Sequence, residues 1–119
     1  MVLFVLSHDS ALVHELEAAV GNSVKIRMVL TTQVLFALLA RTNNMVLILD
    51  TALFADGAAV CRQLRAATNT LMLVIAAGSA VTERVLLLRA GADDVISRPY
   101  DVPELTARVR AMLRRVAQG

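Results

Sequence analysis

Short apolar runs alternate with amphipathic segments along the chain. Five runs of four to six residues, mostly Val, Ile and Leu, predict strands at Val2–Leu6, Val24–Val29, Met45–Leu49, Leu71–Ala76 and Asp94–Ser97. The intervening segments repeat apolar residues three and four positions apart, and they predict helices at Ala11–Val20, Gln33–Ala40, Ala58–Ala66, Ala80–Ala90 and Pro103–Val116. The pattern therefore indicates five consecutive strand–helix units.

Alternating strands and helices indicate a parallel sheet with helices on both faces and with right-handed crossovers between the strands. We therefore predict an α/β fold, a flavodoxin-like (βα)5 three-layer sandwich with the parallel strand order 2-1-3-4-5. Ligand sites in such sheets lie beyond the carboxyl ends of the strands, where the strand order reverses. The residues expected there are Ser7, His8 and Asp9, Asp50 to Ala52, Ala76 and Ala77, and Arg98 and Pro99.

Composition adds a few constraints to this prediction. The 119 residues are 57% hydrophobic and 3% aromatic, which suits one domain, residues 1–119, with an aliphatic core on both faces of a sheet. A net charge of +2 does not by itself indicate a nucleic-acid partner. The apolar runs stay well short of the ~18 residues that cross a membrane, and the N-terminus lacks a basic leader. We expect a cytoplasmic protein with no membrane partner. The single cysteine, Cys61, allows no intrachain disulfide and is expected to be buried.

Two segments carry a family resemblance. Residues 91–101 read GADDVISRPYD, and residues 104–115 follow in order as ELTARVRAMLRR. They resemble the GADDY, KPF/Y-D, EL and LRR pattern of response-regulator receiver domains of the OmpR/PhoB branch, the winged-helix transcription factors. Leu47–Asp50 resembles the family's strand that ends in the phosphoacceptor aspartate, and Asp56-Gly57 resembles the Asp-Gly that opens its third helix. The resemblance covers essentially the whole chain and places Asp50 at the phosphoacceptor position.

The resemblance implies an acidic pair that this chain lacks. In the family, two adjacent acidic residues after strand 1 hold Mg²⁺ together with the acceptor. Those positions are Ser7 and His8 here, and neither suits Mg²⁺, which prefers hard oxygen ligands. Asp9 comes one position late, and we expect it to begin or cap the first helix. We therefore predict that the Mg²⁺ site is lost and that the chain has neither a metal nor a cofactor.

The positions that grip the phosphoryl group also differ. The family has Thr or Ser after strand 4 and Lys after strand 5, whereas this chain has Ala76 and Arg98; Val95 replaces the family's aromatic residue in strand 5. We therefore predict a degenerate pocket in which Asp50 is not phosphorylated efficiently. Arg98 is expected to pair with Asp50 directly, in a bidentate fork.

A second set of residues indicates dimerisation. Receivers of the OmpR/PhoB branch dimerise through helix 4, strand 5 and helix 5, and the resemblance carries their ion pairs and apolar patch onto this chain. The pairs are Arg84 with Glu104, Asp93 with Arg115, and Asp94 with Arg108, and the patch is Val85, Leu88 and Thr106. All three pairs keep opposite charges, so we expect a homodimer. The alternative is that these are ordinary solvated charges, because exposed pairs contribute only about 0–1 kcal/mol each.

Together these features predict an atypical receiver domain of a transcriptional regulator, which is not an enzyme, acts independently of phosphorylation and dimerises by default. DNA is expected to bind only through a C-terminal effector domain outside these 119 residues, and a histidine kinase is doubtful as a partner. Three alternatives stay open. The first is a conventional phosphoacceptor receiver of a two-component system, in which Asp50 is phosphorylated and Asp9 replaces the acidic pair. The others are a receiver whose pocket responds to a small ligand, and a module that pairs with another regulator.

Overall fold

The computed structural model describes residues 1–43 and 45–118, and within them five strands alternate with five helices. The strands are β1 (Val2–Leu6), β2 (Lys25–Val29), β3 (Met45–Asp50), β4 (Leu71–Ala76) and β5 (Asp94–Ser97). The helices are α1 (Ser10–Val20), α2 (Thr32–Leu39), α3 (Gly57–Ala67), α4 (Val81–Ala90) and α5 (Val102–Gln118). Asn44 and Gly119, which fall inside the predicted domain 1–119, lie outside the described residues.

The sheet is parallel throughout, and its order β2-β1-β3-β4-β5 confirms the predicted flavodoxin-like α/β fold. The ends of the elements differ from the predicted ends by at most two residues. β3 includes Asp50, because Asp50 is in register with Ile75 of β4. Leu6 lies beside Leu49, and Ala76 lies beside Ser97. The carboxyl ends of the strands therefore meet at one edge of the sheet, and the residues that follow them are brought together.

Apolar side chains form a core layer on each face of the sheet. The layer under α1 and α5 receives from these helices Leu12, Leu16, Leu105, Val109 and Met112. The opposite layer receives from α2, α3 and α4 the buried residues Leu35, Cys61, Leu64 and Leu87. All six residues of β3 are buried, so the central strand belongs to both layers. Each fully buried Leu contributes about 2 kcal/mol relative to an exposed one. Among the described residues, no helix is long and apolar enough to cross a membrane.

Arg65 connects the end of α3 to the loop between α4 and β5. Its Nε donates to the carbonyl of Gly91 at 2.9 Å, and its Nη2 lies 2.6 Å from Asp93 Oδ2. The same Asp93 oxygen accepts from the backbone N–H of Met72 at 2.8 Å. Gly91 has φ +126°, and a Cβ there would lie 2.7 Å from the Arg65 side chain. A glycine is therefore required for both the backbone angle and the close approach of Arg65.

Candidate functional site

Asp50 is the last residue of β3, and only 2% of its surface is exposed. Its Oδ2 accepts from the Ser7 hydroxyl at 2.7 Å, and its Oδ1 accepts from the backbone N–H of Ala52 at 3.1 Å. Ser7 is completely buried at the end of β1, and its hydroxyl also accepts from the N–H of Asp9 at 3.0 Å. The ends of two neighbouring strands thus hold one buried carboxylate in a fixed orientation.

Arg98 supplies the positive charge of the site. Its Nη2 lies 2.9 Å from Asp50 Oδ2 and 3.1 Å from Asp9 Oδ2, so one nitrogen bridges two carboxylates. This confirms the predicted contact between Arg98 and Asp50. The predicted bidentate fork is wrong, because Asp50 Oδ1 is taken by Ala52 and the second acid shares the same guanidinium nitrogen. Burial opposes the charge on Arg98, but its attraction to Asp50 and its hydrogen bonds to both acids outweigh burial and raise the pKa of the guanidinium.

Asp9 has two roles in the structure. Its Oδ1 accepts from the backbone N–H groups of Ala11 and Leu12 at 3.0 and 3.3 Å, which confirms the predicted cap of the first helix. Its Oδ2 points to Arg98 at 3.1 Å. One carboxylate can serve both partners because its two oxygens face different directions. Asp9 therefore joins the start of α1 to the pocket.

Sequence reasoning did not assign a role to Thr51. This residue is 5% exposed, and its hydroxyl donates to the carbonyl of Ile75 at 3.1 Å and accepts from the N–H of Ala77 at 3.0 Å. Ile75 and Ala77 flank Ala76, where the family resemblance implies a hydroxyl. The only signal in the sequence was a hydroxyl-bearing residue directly after Asp50. Thr51 thus brings a hydroxyl to the end of β4 from the segment that directly follows β3.

No family model matches the chain, but curated relatives are found. The response regulator MprA of Mycobacterium leprae is 46% identical over 80 residues, which cover 66% of this chain and 35% of MprA. The response regulator ArlR of Staphylococcus epidermidis is 47% identical over 60 residues, which cover 50% of this chain and 27% of ArlR. The chain therefore spans well under half the length of each of these relatives.

Solved structures share the fold over nearly the whole chain. The receiver domain of TorR, the response regulator of the TMAO respiratory system, has a TM-score of 0.81 at 20% identity and covers 97% of this chain and 98% of its own. A two-component response regulator from Clostridium difficile has a TM-score of 0.81 at 19% identity and covers 97% of both chains. The curated relatives supply the sequence similarity, and these structures supply the fold. This chain is a response-regulator receiver domain of the kind found in two-component systems.

Other predicted pocket residues of the receiver lie where their positions imply, with one exception. Ala76 is completely buried and Val95 is 8% exposed. Both side chains are apolar, so neither presents a polar group to the site. His8 is exposed, and its Nε2 lies 3.4 Å from the carbonyl of Leu30. Among the described residues, no hydrogen bond joins His8 to Asp50 or Asp9. The assignment of His8 to the pocket is therefore not supported by its contacts, because His8 turns to the β2 side while its neighbour Ser7 turns inward.

The acidic groups of this receiver do not fit Mg²⁺. Mg²⁺ requires oxygen ligands in an octahedral arrangement, usually including carboxylates that face the ion. Here the carboxylates of Asp50 and Asp9 both face Arg98 Nη2, and Ser7 contributes a neutral hydroxyl. Across residues 1–43 and 45–118, no three His, Cys, Asp or Glu side chains gather as a metal-binding group. The guanidinium occupies the position between the acids that a cation would need.

An open depression lies beside this cluster. Its volume is about 420 Å³, and its lining is Asp9, Glu15, Ala77, Arg98, Pro99, Tyr100 and Val102. The Tyr100 hydroxyl donates to Glu15 Oε2 at 2.7 Å, and the Arg98 guanidinium carbon lies 5.5 Å from the centre of the Tyr100 ring. Burial and the hydrogen bond to Glu15 raise the pKa of Tyr100. The neutral Tyr100 hydroxyl therefore ties α1 to the segment that follows β5.

The residues predicted to form the dimer interface have contacts within the chain. Arg108 Nη1 lies 2.9 Å from both carboxylate oxygens of Asp94, and its Nη2 lies 3.1 Å from Glu104. Asp93 is bound by Arg65, as described above. The remaining predicted residues are placed as follows: Val85, Leu88 and Arg115 are exposed, Thr106 is half-buried, and Arg84 donates to the carbonyl of Ser79 at 3.1 Å. The acidic members of all three predicted pairs thus each have an arginine partner within the chain, and Asp94 and Glu104 share Arg108.

Proposed function

We propose that this receiver acts independently of phosphorylation. The observation that carries the proposal is the position of Arg98 Nη2 between Asp50 and Asp9. Phosphoryl transfer to an aspartate accumulates negative charge, which a bound cation normally offsets. In this pocket the positive charge is part of the chain and is shared by two acids, so it is present before any phosphate arrives.

The contacts of Asp50 support the same conclusion. A nucleophilic carboxylate oxygen must be free to approach phosphorus. Asp50 Oδ2 accepts from Ser7 and Arg98, and Oδ1 accepts from Ala52 N–H. An attack by Oδ2 would therefore require the loss of at least one of its two hydrogen bonds inside a buried site, where an unmade hydrogen bond costs about 1–3 kcal/mol.

The test is to incubate the chain with acetyl phosphate and Mg²⁺ and to measure its intact mass. We expect no efficient gain of a phosphoryl group. The matched control is the fourfold variant Ser7→Asp, His8→Asp, Ala76→Thr and Arg98→Lys, which restores the family residues and should gain the group. Efficient labelling of the unaltered chain that Asp50→Asn abolishes would contradict the proposal and favour the conventional phosphoacceptor.

We further propose that the receiver forms a homodimer through α4, β5 and α5. Its support is an apolar stripe on α4, defined here as Val81, Val85 and Leu88, whose exposed fractions are 63%, 39% and 47%. Their spacing of four and three residues puts them on one side of the helix. Because the predicted ion pairs have partners within the chain, the stripe supplies the association energy and the charges supply orientation.

Sedimentation at several concentrations tests the dimer. Leu88→Asp puts a charge into the stripe without touching the core, so it should shift the chain to monomers. Asp50→Ala should leave the dimer unchanged, in contrast to a phosphorylation-driven receiver. Exchanging the charges of Asp94 and Arg108 is a weaker test, because this pair exists within one chain. A monomer at all concentrations would exclude the interface.

The chain spans 35% of MprA and 27% of ArlR. We propose that the receiver belongs to a transcriptional regulator of the cytoplasm and that DNA binding resides in a C-terminal winged-helix domain. Such a dimer would place two DNA-binding domains on paired half-sites. Sequencing the gene beyond codon 119 tests this, and a continuation without a winged-helix pattern would contradict it.

A ligand-responsive pocket is the second candidate, favoured by one observation. Arg98 Nε is buried and has no hydrogen-bond partner among the described residues, and the Arg98 side chain is part of the lining of the open depression beside Tyr100. A small molecule with a carboxylate or phosphate could use the guanidinium. A shift in melting temperature with such metabolites, lost in Arg98→Met, would support this candidate.

A further inference from the structure

The loop between β4 and α4, residues 77–80, starts beside the pocket and leads into the helix that carries the apolar stripe. Three of its four residues are exposed, and α4 begins without a side-chain cap. Arg84 donates to the carbonyl of Ser79 in this loop at 3.1 Å, and the start of the loop depends on the groups that bind its first residues.

Thr51 provides that binding. Its hydroxyl donates to the carbonyl of Ile75 at 3.1 Å and accepts from the N–H of Ala77 at 3.0 Å. It therefore bridges the end of β4 and the first residue of the loop. Ala76 has no hydroxyl of its own, and the backbone N–H of Ala77 is already hydrogen-bonded to Thr51, which directly follows β3. An anion in the pocket would have to compete with this hydroxyl for the Ala77 N–H.

Gly57, the first residue of α3, fixes the orientation of Thr51. A Cβ at Gly57 would lie 2.7 Å from Thr51 Cγ2 and 2.8 Å from Thr51 Cβ. The threonine methyl therefore packs directly against the glycine, and a β-branched side chain held in this way has its hydroxyl in one direction. This gives a physical reason for the glycine at position 57, and the preceding Asp56 caps α3 by accepting from the N–H of Ala59 at 3.0 Å.

We infer that Thr51 is a positioning residue that holds the β4–α4 loop in one conformation by occupying the Ala77 N–H, as a bound anion would do. The hydroxyl and the Arg98 guanidinium then satisfy from within the chain both the amide and the acids that face the pocket. The inference deepens the proposed function, since a fixed loop keeps α4 in place without a signal. The biological role of the fixed loop rests on the proposed function. The hydroxyl contacts of Thr51 do not, because they are independent of phosphate chemistry.

Amide hydrogen exchange of Ala77, measured by NMR on the whole chain, tests the inference. In the unaltered chain the Ala77 N–H should be protected although the residue itself is exposed. Thr51→Val keeps the methyl packing but removes the hydroxyl, and it should speed the exchange of Ala77 about tenfold. Thr51→Ser keeps the hydroxyl and should restore most of the protection. The amides of Leu73 and Val74, in the middle of β4, report any change in global stability.

An unprotected Ala77 amide in the unaltered chain would overturn the inference. So would a Thr51→Val rate that differs from the unaltered rate only as much as the rates of Leu73 and Val74 do. If Thr51→Val does not fold, Gly57→Ala displaces the hydroxyl without removing it, and the same criterion applies. Phosphoryl labelling of the unaltered chain would defeat the proposed function and leave this result standing, so the two failures are distinguishable.

Discussion

Two arginine–aspartate pairs lie at opposite ends of β5 and differ in their surroundings. At the carboxyl end, Arg98 Nη2 is 2.9 Å from Asp50, whose side chain is 3% exposed. At the amino end, Arg108 Nη1 is 2.9 Å from Asp94, and these two side chains are 39% and 30% exposed. The distances are equal, so the difference between the pairs is one of burial.

The comparison shows that an ion-pair distance does not measure the importance of the pair. Water can solvate Asp94 when Arg108 leaves, so the loss is small. Water has little access to Asp50, so the loss of Arg98 leaves a buried charge with too few partners. The Arg98–Asp50 pair is therefore part of the pocket's structure. The Arg108–Asp94 pair contributes mainly to the orientation of side chains at the surface.

The largest expected effect is that of removing Arg98. Arg98→Met keeps much of the apolar stem and should lower the free energy of unfolding by about 2–3 kcal/mol, below the upper range for buried pairs because the Arg98 side chain is 26% exposed. Urea denaturation measures the change. Arg108→Met is the matched control and should cost at most about 1 kcal/mol. Equal losses would break the comparison.

Double-mutant cycles sharpen the same contrast. The cycle of Asp50→Asn with Arg98→Met should give a coupling free energy of about 1.5 kcal/mol, because both members share a buried site. The cycle of Asp94→Asn with Arg108→Met should give only a few tenths, roughly the value of an exposed pair. A larger coupling at the exposed pair would show that burial is not the deciding variable.

Tyr100 extends the comparison at the buried end. Tyr100→Phe removes the hydrogen bond to Glu15 and should cost about 1 kcal/mol at neutral pH. Burial and Glu15 raise the pKa of Tyr100 in the folded chain, so the hydroxyl stays neutral there while the unfolded tyrosine ionises near pH ~10. The advantage of the unaltered chain is thus constant below that pH and decreases above it.

The free energy of unfolding of the unaltered chain and of Tyr100→Phe, measured from about pH 7 to about pH 11, checks the sign, because these values lie on either side of the tyrosine transition. A difference that does not change with pH would contradict the role of Tyr100.

The smallest expected effect is the salt dependence of the exposed pair. The contribution of Asp94 and Arg108 should fall when ionic strength rises to about 1 M, where the screening length is roughly 3 Å. The contribution of Asp50 and Arg98 should change less, since the site excludes most ions. Repeating the urea measurements of both Met variants at high salt tests this, and an equal salt response would remove the distinction.

The predictability of the molecule divides along similar lines. The strand–helix units were predicted to within two residues because apolar periodicity and cap residues act over a few neighbours. The contact of Arg98 with Asp50 was also predicted, because parallel strands bring their carboxyl ends to one edge. The bidentate geometry was wrong because the N–H of Ala52 takes one oxygen of Asp50.

Three features of the sites escaped sequence reasoning. Nothing local shows that the Thr51 hydroxyl faces β4, since this depends on packing against Gly57. The exposed position of His8 depends on the direction of the chain after β1. The intrachain partners of Asp93 and Asp94 are 28 and 14 residues away, so a charge pattern alone could not separate them from partners in a second copy.

The amino-acid sequence by itself determined the order of elements, the parallel sheet and the set of residues at its carboxyl edge, because these follow from periodicity and chain connectivity. Only the tertiary structure decided that one guanidinium nitrogen serves two acids and that a threonine hydroxyl occupies a backbone amide. Those choices depend on side-chain directions and burial among residues that are 26 or more positions apart in the chain, and such contacts leave no periodic trace.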